Sequence, residues 1–307
     1  MVERYHHYQP RRMPPKRRKR KGPRRVFTLV VAALLLFIGY RVLFDSNEAP
    51  AAEKQKTTAK KKAEVKVEPI SDQTWQQLET NVNGLLAANS TIDIGVSVID
   101  VKTGTKVNYG YQDAFHGAST TKVLTAAAFL HQVEQGQHSL TEQLSGATAQ
   151  EHLRRMINRS DNNSWAVLNS TVGYSQLDAY AVENGINSYK YIGNTMNAQD
   201  MALLLFKLYQ RQLISLEHTN LLLSFMQNTN NEDMIPVVTP AGGNLYHKYG
   251  QLDDRLHDAS ILEYKDRPIV LVVYTKAQAG QDTGYNPRIA LIQQIARAVF
   301  DTFYANK

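Results

Sequence analysis

The chain has 307 residues, 43% of them hydrophobic and 21% charged, with no cysteine and a formal net charge of +7. It is long enough for one large or two small domains with a sizeable core, and its composition excludes disulfides, cysteine nucleophiles, thiolate metal sites and a lipidated cysteine anchor. The nine histidines fall in no metal-ligand spacing, so no metal or other cofactor is expected.

The positive charge is concentrated at one end. Residues 1–25 carry eleven Lys or Arg against Glu3 alone, whereas residues 71–307 carry seventeen against twenty-two Asp or Glu. The basicity is therefore a tail, not a nucleic-acid-binding surface spread over a fold. Residues 26–44 (VFTLVVAALLLFIGYRVLF) follow directly, with Arg41 as their only charge. A helix of that length spans about 28 Å, close to the bilayer core of about 30 Å, and Arg41 lies far enough along to snorkel to the headgroups. The basic flank keeps the amino terminus cytoplasmic and sends the rest outward. Ala49-Pro50-Ala51 faintly resembles a cleavage site, but the apolar run is long for a signal peptide, so residues 26–44 read as an uncleaved transmembrane signal-anchor in the cell membrane. Residues 45–70, rich in Ala, Lys, Glu and Thr and free of aromatics, read as a disordered linker.

The folded domain is expected over residues 71–307. Trp75, Leu78, Val82, Leu85 and Leu86 have helical spacing over residues 72–88, with Ser71 or Asp72 as the cap. Ile94, Val96 and Val98 then alternate with smaller residues, a Lys102-Thr103-Gly104 turn follows, and Val107 and Tyr109 lie in a returning strand. From Ser119 to about Gln227 the pattern is helical. Strand character returns at residues 244–252, 257–264 and 268–275, and an amphipathic helix over 286–305 closes the chain. This is an α+β plan: the strands at both ends of the domain (71–115 and 241–307) share one antiparallel five-stranded sheet, with an all-helical part (116–240) inserted between them.

Three motifs carry chemistry. In Ser119-Thr120-Thr121-Lys122, at the start of an apolar helix, positions i and i+3 share a face, so the Lys122 amine can reach the Ser119 hydroxyl. Serine is a poor nucleophile without an adjacent base, and a desolvated lysine crowded by other positive charge can be that base. In Ser160-Asp161-Asn162, between helices, the Ser160 hydroxyl can relay a proton, the Asn162 amide can donate to and accept from a substrate amide, and Asp161 can fix the loop through backbone bonds. In Lys248-Tyr249-Gly250, on a strand, Lys248 supplies positive charge for a substrate carboxylate, and Gly250 marks a close approach of backbone or ligand. Singly, each has an ordinary explanation as a capped helix start, an Asx turn or a solvated strand lysine.

Together, in this order and these contexts, they resemble the class A β-lactamases and low-molecular-weight penicillin-binding enzymes, the penicillin-recognising serine hydrolases. The resemblance covers about residues 71–305 and includes GVSVIDVKTG and NTMNAQDMALLL. It implies that fold: the antiparallel sheet flanked by the amino- and carboxy-terminal helices and facing the helical part, with the site between. It also implies Ser119 as acyl-forming nucleophile, Lys122 as its base, Ser160 as proton shuttle, Asn162, Lys248, Tyr249 and Gly250 as substrate-binding positions, and the backbone N–H groups of Ser119 and Gln251 as oxyanion hole.

The pattern departs in two places. Glu183-Asn184-Gly185-Ile186-Asn187 imitates the deacylating Glu-x-x-Leu-Asn of the β-lactamases, but Leu177, Tyr180 and Ala181 give Glu183 a helical setting that Gly185 ends. Only residues 187–194 then remain for the loop, and none is acidic. Tyr249 stands where the family has Thr or Ser to help hold the substrate carboxylate, leaving Arg255 or His257 as substitutes. The expectation is an extracellular enzyme acylated by β-lactams or D-Ala-D-Ala-type cell-wall peptides and slow to deacylate. The alternative is a non-catalytic cell-wall or β-lactam sensing domain on the same fold. The oligomeric state is not legible.

Overall fold

The computed structural model describes residues 69–281 and 284–304. The expected cytoplasmic tail (1–25), membrane anchor (26–44) and almost all of the linker (45–70) lie outside the described residues. Among those described, no helix is long and apolar enough to cross a membrane.

Ser71 caps the first helix, α1 (Asp72–Ala88), by accepting from the Thr74 N–H at 3.2 Å. The hairpin follows as β1 (Ile92–Asp100) and β2 (Lys106–Gly110). The chain then makes a short strand β3 (Phe115–His116) and enters the helical part. Its helices are α2 (Lys122–Glu134), α3 (Ala149–Asn158), α4 (Asn162–Val172), α5 (Tyr174–Glu183), α6 (Ala198–Tyr209) and α7 (Leu216–Phe225). A two-residue ladder, β4 (Gln143–Leu144) with β5 (Ala147–Thr148), precedes α3, and β6 (Thr195–Met196) pairs back with β3. A 3-10 turn at Ile235–Val238 leads into β7 (Asn244–Leu252), β8 (Arg255–Glu263) and β9 (Ile269–Ala277), and α8 (Tyr285–Tyr304) ends the domain.

The large sheet runs β2-β1-β9-β8-β7, antiparallel throughout, so strands from both ends of the domain share it as expected. The helical part interrupts the sheet in sequence but not in space. Alternation gives β1 one apolar face, whereas β9 is apolar on both. Val96, Val98, Leu271 and Val273 pack under α1 and α8, where Trp75 meets Phe303 edge-on at 5.2 Å. Val270, Val272 and Tyr274 face the helical part. Helix α2 is the axis of that part, with every residue from Lys122 to Leu130 buried. The short strands β3 and β6 were not foreseen; at two residues each they have no periodicity to read. Their pairing, Phe115 with Met196 and His116 with Thr195, holds the approach to α2 against the chain entering α6.

At the end of β1, the Asp100 carboxylate accepts from Arg267 at 2.6 Å and from the Thr103 hydroxyl at 2.7 Å, fully buried. A buried guanidinium left without its carboxylate is costly. Asp100→Ala is therefore expected to lower the unfolding free energy by about 3–5 kcal/mol, read as a shift in the urea midpoint, while the reactivity of Ser119 in the folded fraction is unchanged.

Candidate active site

Ser119 lies in the tight turn before α2, one turn earlier than a helix-start reading places it, because helical hydrogen bonding begins only at Lys122. The turn is held from two sides. Thr120 Oγ1 donates to the Gly117 carbonyl at 2.6 Å and bonds Tyr274 of β9. Asn194, just before β6, accepts from Thr121 Oγ1 at 2.6 Å, donates to the Ala118 carbonyl at 2.8 Å, and takes the Gly117 N–H on its own carbonyl at 2.7 Å. Ala118 and Asn194 both have φ near +50°, at 48° and 47°, and so does Ser160, at 56°. Left-handed backbone at residues with a Cβ costs about 1–3 kcal/mol each and persists only where surrounding bonds impose it.

The strain at Ser160 aims its groups at two lysines. Lys122 Nζ donates to the Ser160 carbonyl at 2.6 Å and to Asn162 Oδ1 at 2.7 Å, with Ser160 Oγ at 3.4 Å. Lys248 Nζ reaches the same Oγ from β7 at 3.0 Å and its own chain at the Tyr249 carbonyl at 2.9 Å. Asp161 caps α4 through the Ser164 N–H at 2.6 Å, the loop-fixing part foreseen for it. Both amines are buried. Burial lowers the Lys122 ammonium to about 8, against the opposing pull of the Asp161 carboxylate. Burial, then the like charge of Lys122, takes Lys248 well below its ordinary value. A neutral Lys122 has two N–H groups, which its two short acceptors satisfy, and one lone pair left for an incoming proton. Ser160 Oγ, between the amines, can accept from one side while donating to the other.

Gly250 is where β7 meets the turn that carries Ser119: a Cβ there would stand 3.1 Å from the Ala118 Cβ, the Gly117 carbonyl oxygen and the Ser119 nitrogen. This approach places Gln251 beside Ser119 along one cleft of about 390 Å³. His116, Asn162, Trp165, Asn194 and Leu252 complete its lining with small alanines. No acceptor among the described residues takes the Ser119 N–H. The structure thus brings Lys122, Ser160, Asn162 and Lys248 into direct contact and sets Ser119 and Gln251 on the adjoining cleft. Among the described residues, no hydrogen bond ends on the Ser119 hydroxyl.

Other candidates separate. Glu183 is exposed at the end of α5 and lines a different cleft, with His131 and Tyr180, beyond the far end of α2. His257 is fully buried, bonded to the His116 carbonyl and the Thr275 N–H, and stacked on Tyr274 at 4.1 Å. Burial takes it down to about 4, so it is neutral and cannot hold a carboxylate. Arg255 pairs with Asp254 and does not line the cleft. Among the described residues no group of three or more potential metal ligands occurs.

Sequence reasoning missed Asn194, Trp165 and His247. Trp165 donates to Thr125 at 3.1 Å and walls the cleft, and a single tryptophan on an amphipathic helix carries no signal of that. His247, beside Lys248, is held between Asp258 at 2.9 Å and Glu232 at 3.1 Å. Burial disfavours its charge, but Asp258 and Glu232 together outweigh that and raise it to about 9.

A model described as the beta-lactamase enzyme family matches residues 77–303. No curated protein matches the sequence. Among solved structures, PBP-A superposes with a TM-score of 0.69 at 23% identity, over 74% of this chain and 96% of that one. A point variant of PBP-A, captured as its acyl-enzyme with penicillin G, gives 0.69 at 22%, over 75% and 97%. The class A β-lactamase of the last common ancestor of Gram-negative bacteria gives 0.68 at 23%, over 74% and 99%. At such identities the likeness establishes the fold.

Two outcomes are expected. Acylation at Ser119 rises as pH passes through about 8 and Lys122 loses its proton, measured as second-order rate constants against pH. His247, raised from 6.5 to about 9, contributes stability that is full below 6.5 and lost as pH rises through about 9; His247→Gln flattens that part of the stability profile in urea titrations.

Proposed function

This chain belongs to the beta-lactamase enzyme family, and from that premise we propose that it is a membrane-anchored serine acyl-transfer enzyme facing the outside of the cell. It is acylated at Ser119 by β-lactams or by D-Ala-D-Ala-type cell-wall peptides and releases the acyl group slowly. The observation that carries this reading is the pair of buried amines, Lys122 and Lys248, bridged by Ser160 Oγ beside the Ser119 turn. A depressed lysine next to a serine on a held turn is the equipment of nucleophilic catalysis, and a backbone donor aimed at the developing oxyanion is worth about 3 kcal/mol in such steps.

In the forward step the Ser119 oxygen forms an ester with the substrate carbonyl carbon as the bond to the leaving nitrogen breaks. The hydroxyl proton passes to Lys122, and Ser160 returns a proton to the leaving nitrogen. Asn162 offers an amide to the substrate from the floor of the cleft. Hydrolysis of the ester then needs a base to direct water. Glu183 faces away, and residues 187–194, which pass near the cleft at Asn194, contain no carboxylate. The acyl-enzyme should therefore persist, which separates a penicillin-binding enzyme from an efficient β-lactamase.

A second reading, a non-catalytic sensing domain, is favoured by the Ser119 hydroxyl making no hydrogen bond to Lys122. One experiment decides. Intact-mass spectrometry of the protein with benzylpenicillin is expected to give a lasting single adduct on Ser119, absent in Ser119→Ala and equally persistent in Glu183→Ala. Absence of any adduct selects the sensing domain; rapid turnover that Glu183→Ala abolishes selects a true β-lactamase.

A further inference from the structure

The cleft beside Ser119 has no positive charge to offer. No residue that lines it bears a fixed charge, and His116 is pushed below its ordinary value chiefly by burial, then by Arg255, so it is neutral near pH 7. Lys248 is fully buried, with Nζ donating to Ser160 Oγ and the Tyr249 carbonyl, and the Tyr249 ring covers it with its centroid 4.2 Å away. Because β7 is the open edge of the sheet, the phenol can reach across that edge, where it donates to Asn230 Oδ1 at 3.1 Å and is pinned over the ammonium. Lys122 is turned inward to Ser160 and Asn162. Arg255, on the strand that follows, is paired with Asp254 and has its Nε buried. With Asp253 beside that pair, the turn between β7 and β8 holds two carboxylates against one guanidinium.

A carboxylate placed next to a scissile bond in this cleft would surrender water without gaining a cation, a loss that buried charges pay for steeply. The walls formed by Trp165, Ala166 and Leu252 instead suit an apolar acyl group. We propose that the acyl donor this site prefers carries no free carboxylate beside the scissile bond, being an ester, an amide or an amidated peptide end, and that Tyr249 is the residue that imposes the preference. This rests on the acyl-enzyme reading. The step itself is unchanged: the Ser119 oxygen bonds the acyl carbon, the carbon–nitrogen or carbon–oxygen bond to the leaving group breaks, and the serine proton ends on that leaving group.

The test compares benzylpenicillin with its methyl ester on the full chain, following adduct formation on Ser119 by intact mass. The methyl ester is expected to acylate about tenfold faster or more, and Tyr249→Thr to bring the ratio to about one or below. Should that variant fail to fold, Asn230→Ala frees the phenol from outside the strand and is expected to move the ratio the same way. A free acid that reacts as fast as the ester, or a ratio unmoved by either substitution, overturns the inference while the acyl-enzyme reading stands. Failure of both compounds to label Ser119 removes that reading and this one with it.

Discussion

Two ammonium-bearing side chains, Lys122 and Lys248, are withdrawn from water within reach of one hydroxyl. Desolvating an ammonium costs several kcal/mol even after relaxation, and a second like charge nearby adds to it. The arrangement survives because short acceptors take most of the protons and because burial lowers both ammonium groups from their ordinary values. The acceptors come from three places: the Ser160 carbonyl, turned by a left-handed backbone, the Asn162 side chain at the start of α4, and the Tyr249 carbonyl on β7. Much of the domain can be read as scaffolding for that one unfavourable proximity. It is also what brings the Lys122 ammonium down to about 8.

The architecture meets the constraint by using both sides of a sheet. The terminal helices seal one face and free the other to accept the helical part, so α2 can deliver Lys122 from the interior while β7 delivers Lys248 from the edge. The Ser119 turn is then clamped where these meet, by the bond from Thr120 to Tyr274 of β9, by Asn194 from the chain before β6, and by the missing side chain of Gly250. A side chain at position 250 would push β7 away from Ser119.

The edge of the sheet is where this chain differs most from the pattern its motifs suggest. Behind Lys248, the Asp258–His247–Glu232 arrangement ties β7 to the segment after α7, with Asp258 also accepting the Ile235 N–H at 3.1 Å. In front of it, Tyr249 reaches to Asn230 of the same segment. Both neighbours of the lysine therefore anchor one connection, which makes that connection part of the site. The electrostatic result is a Ser119 turn beside two buried lysines, opening on a cleft whose lining carries no fixed charge.

The domain's architecture and the candidate residues were legible in the chain alone: alternation in β1, the apolar run of β9, helical spacing in α1 and α8, and three short motifs whose order and contexts are local properties of the chain. It was also enough to set Glu183 on a helix, because Gly185 ends that helix with φ of 77°. What the tertiary structure decided is everything that depends on residues far apart in sequence. Asn194 became a clamp only when β6 paired with β3; His257 was eliminated by burial against Tyr274; Tyr249 acquired its contact with Asn230 across the sheet edge. Whether an amine is a base or an anchor depends on its desolvation and its neighbours, and those are fixed by packing that no local spacing encodes.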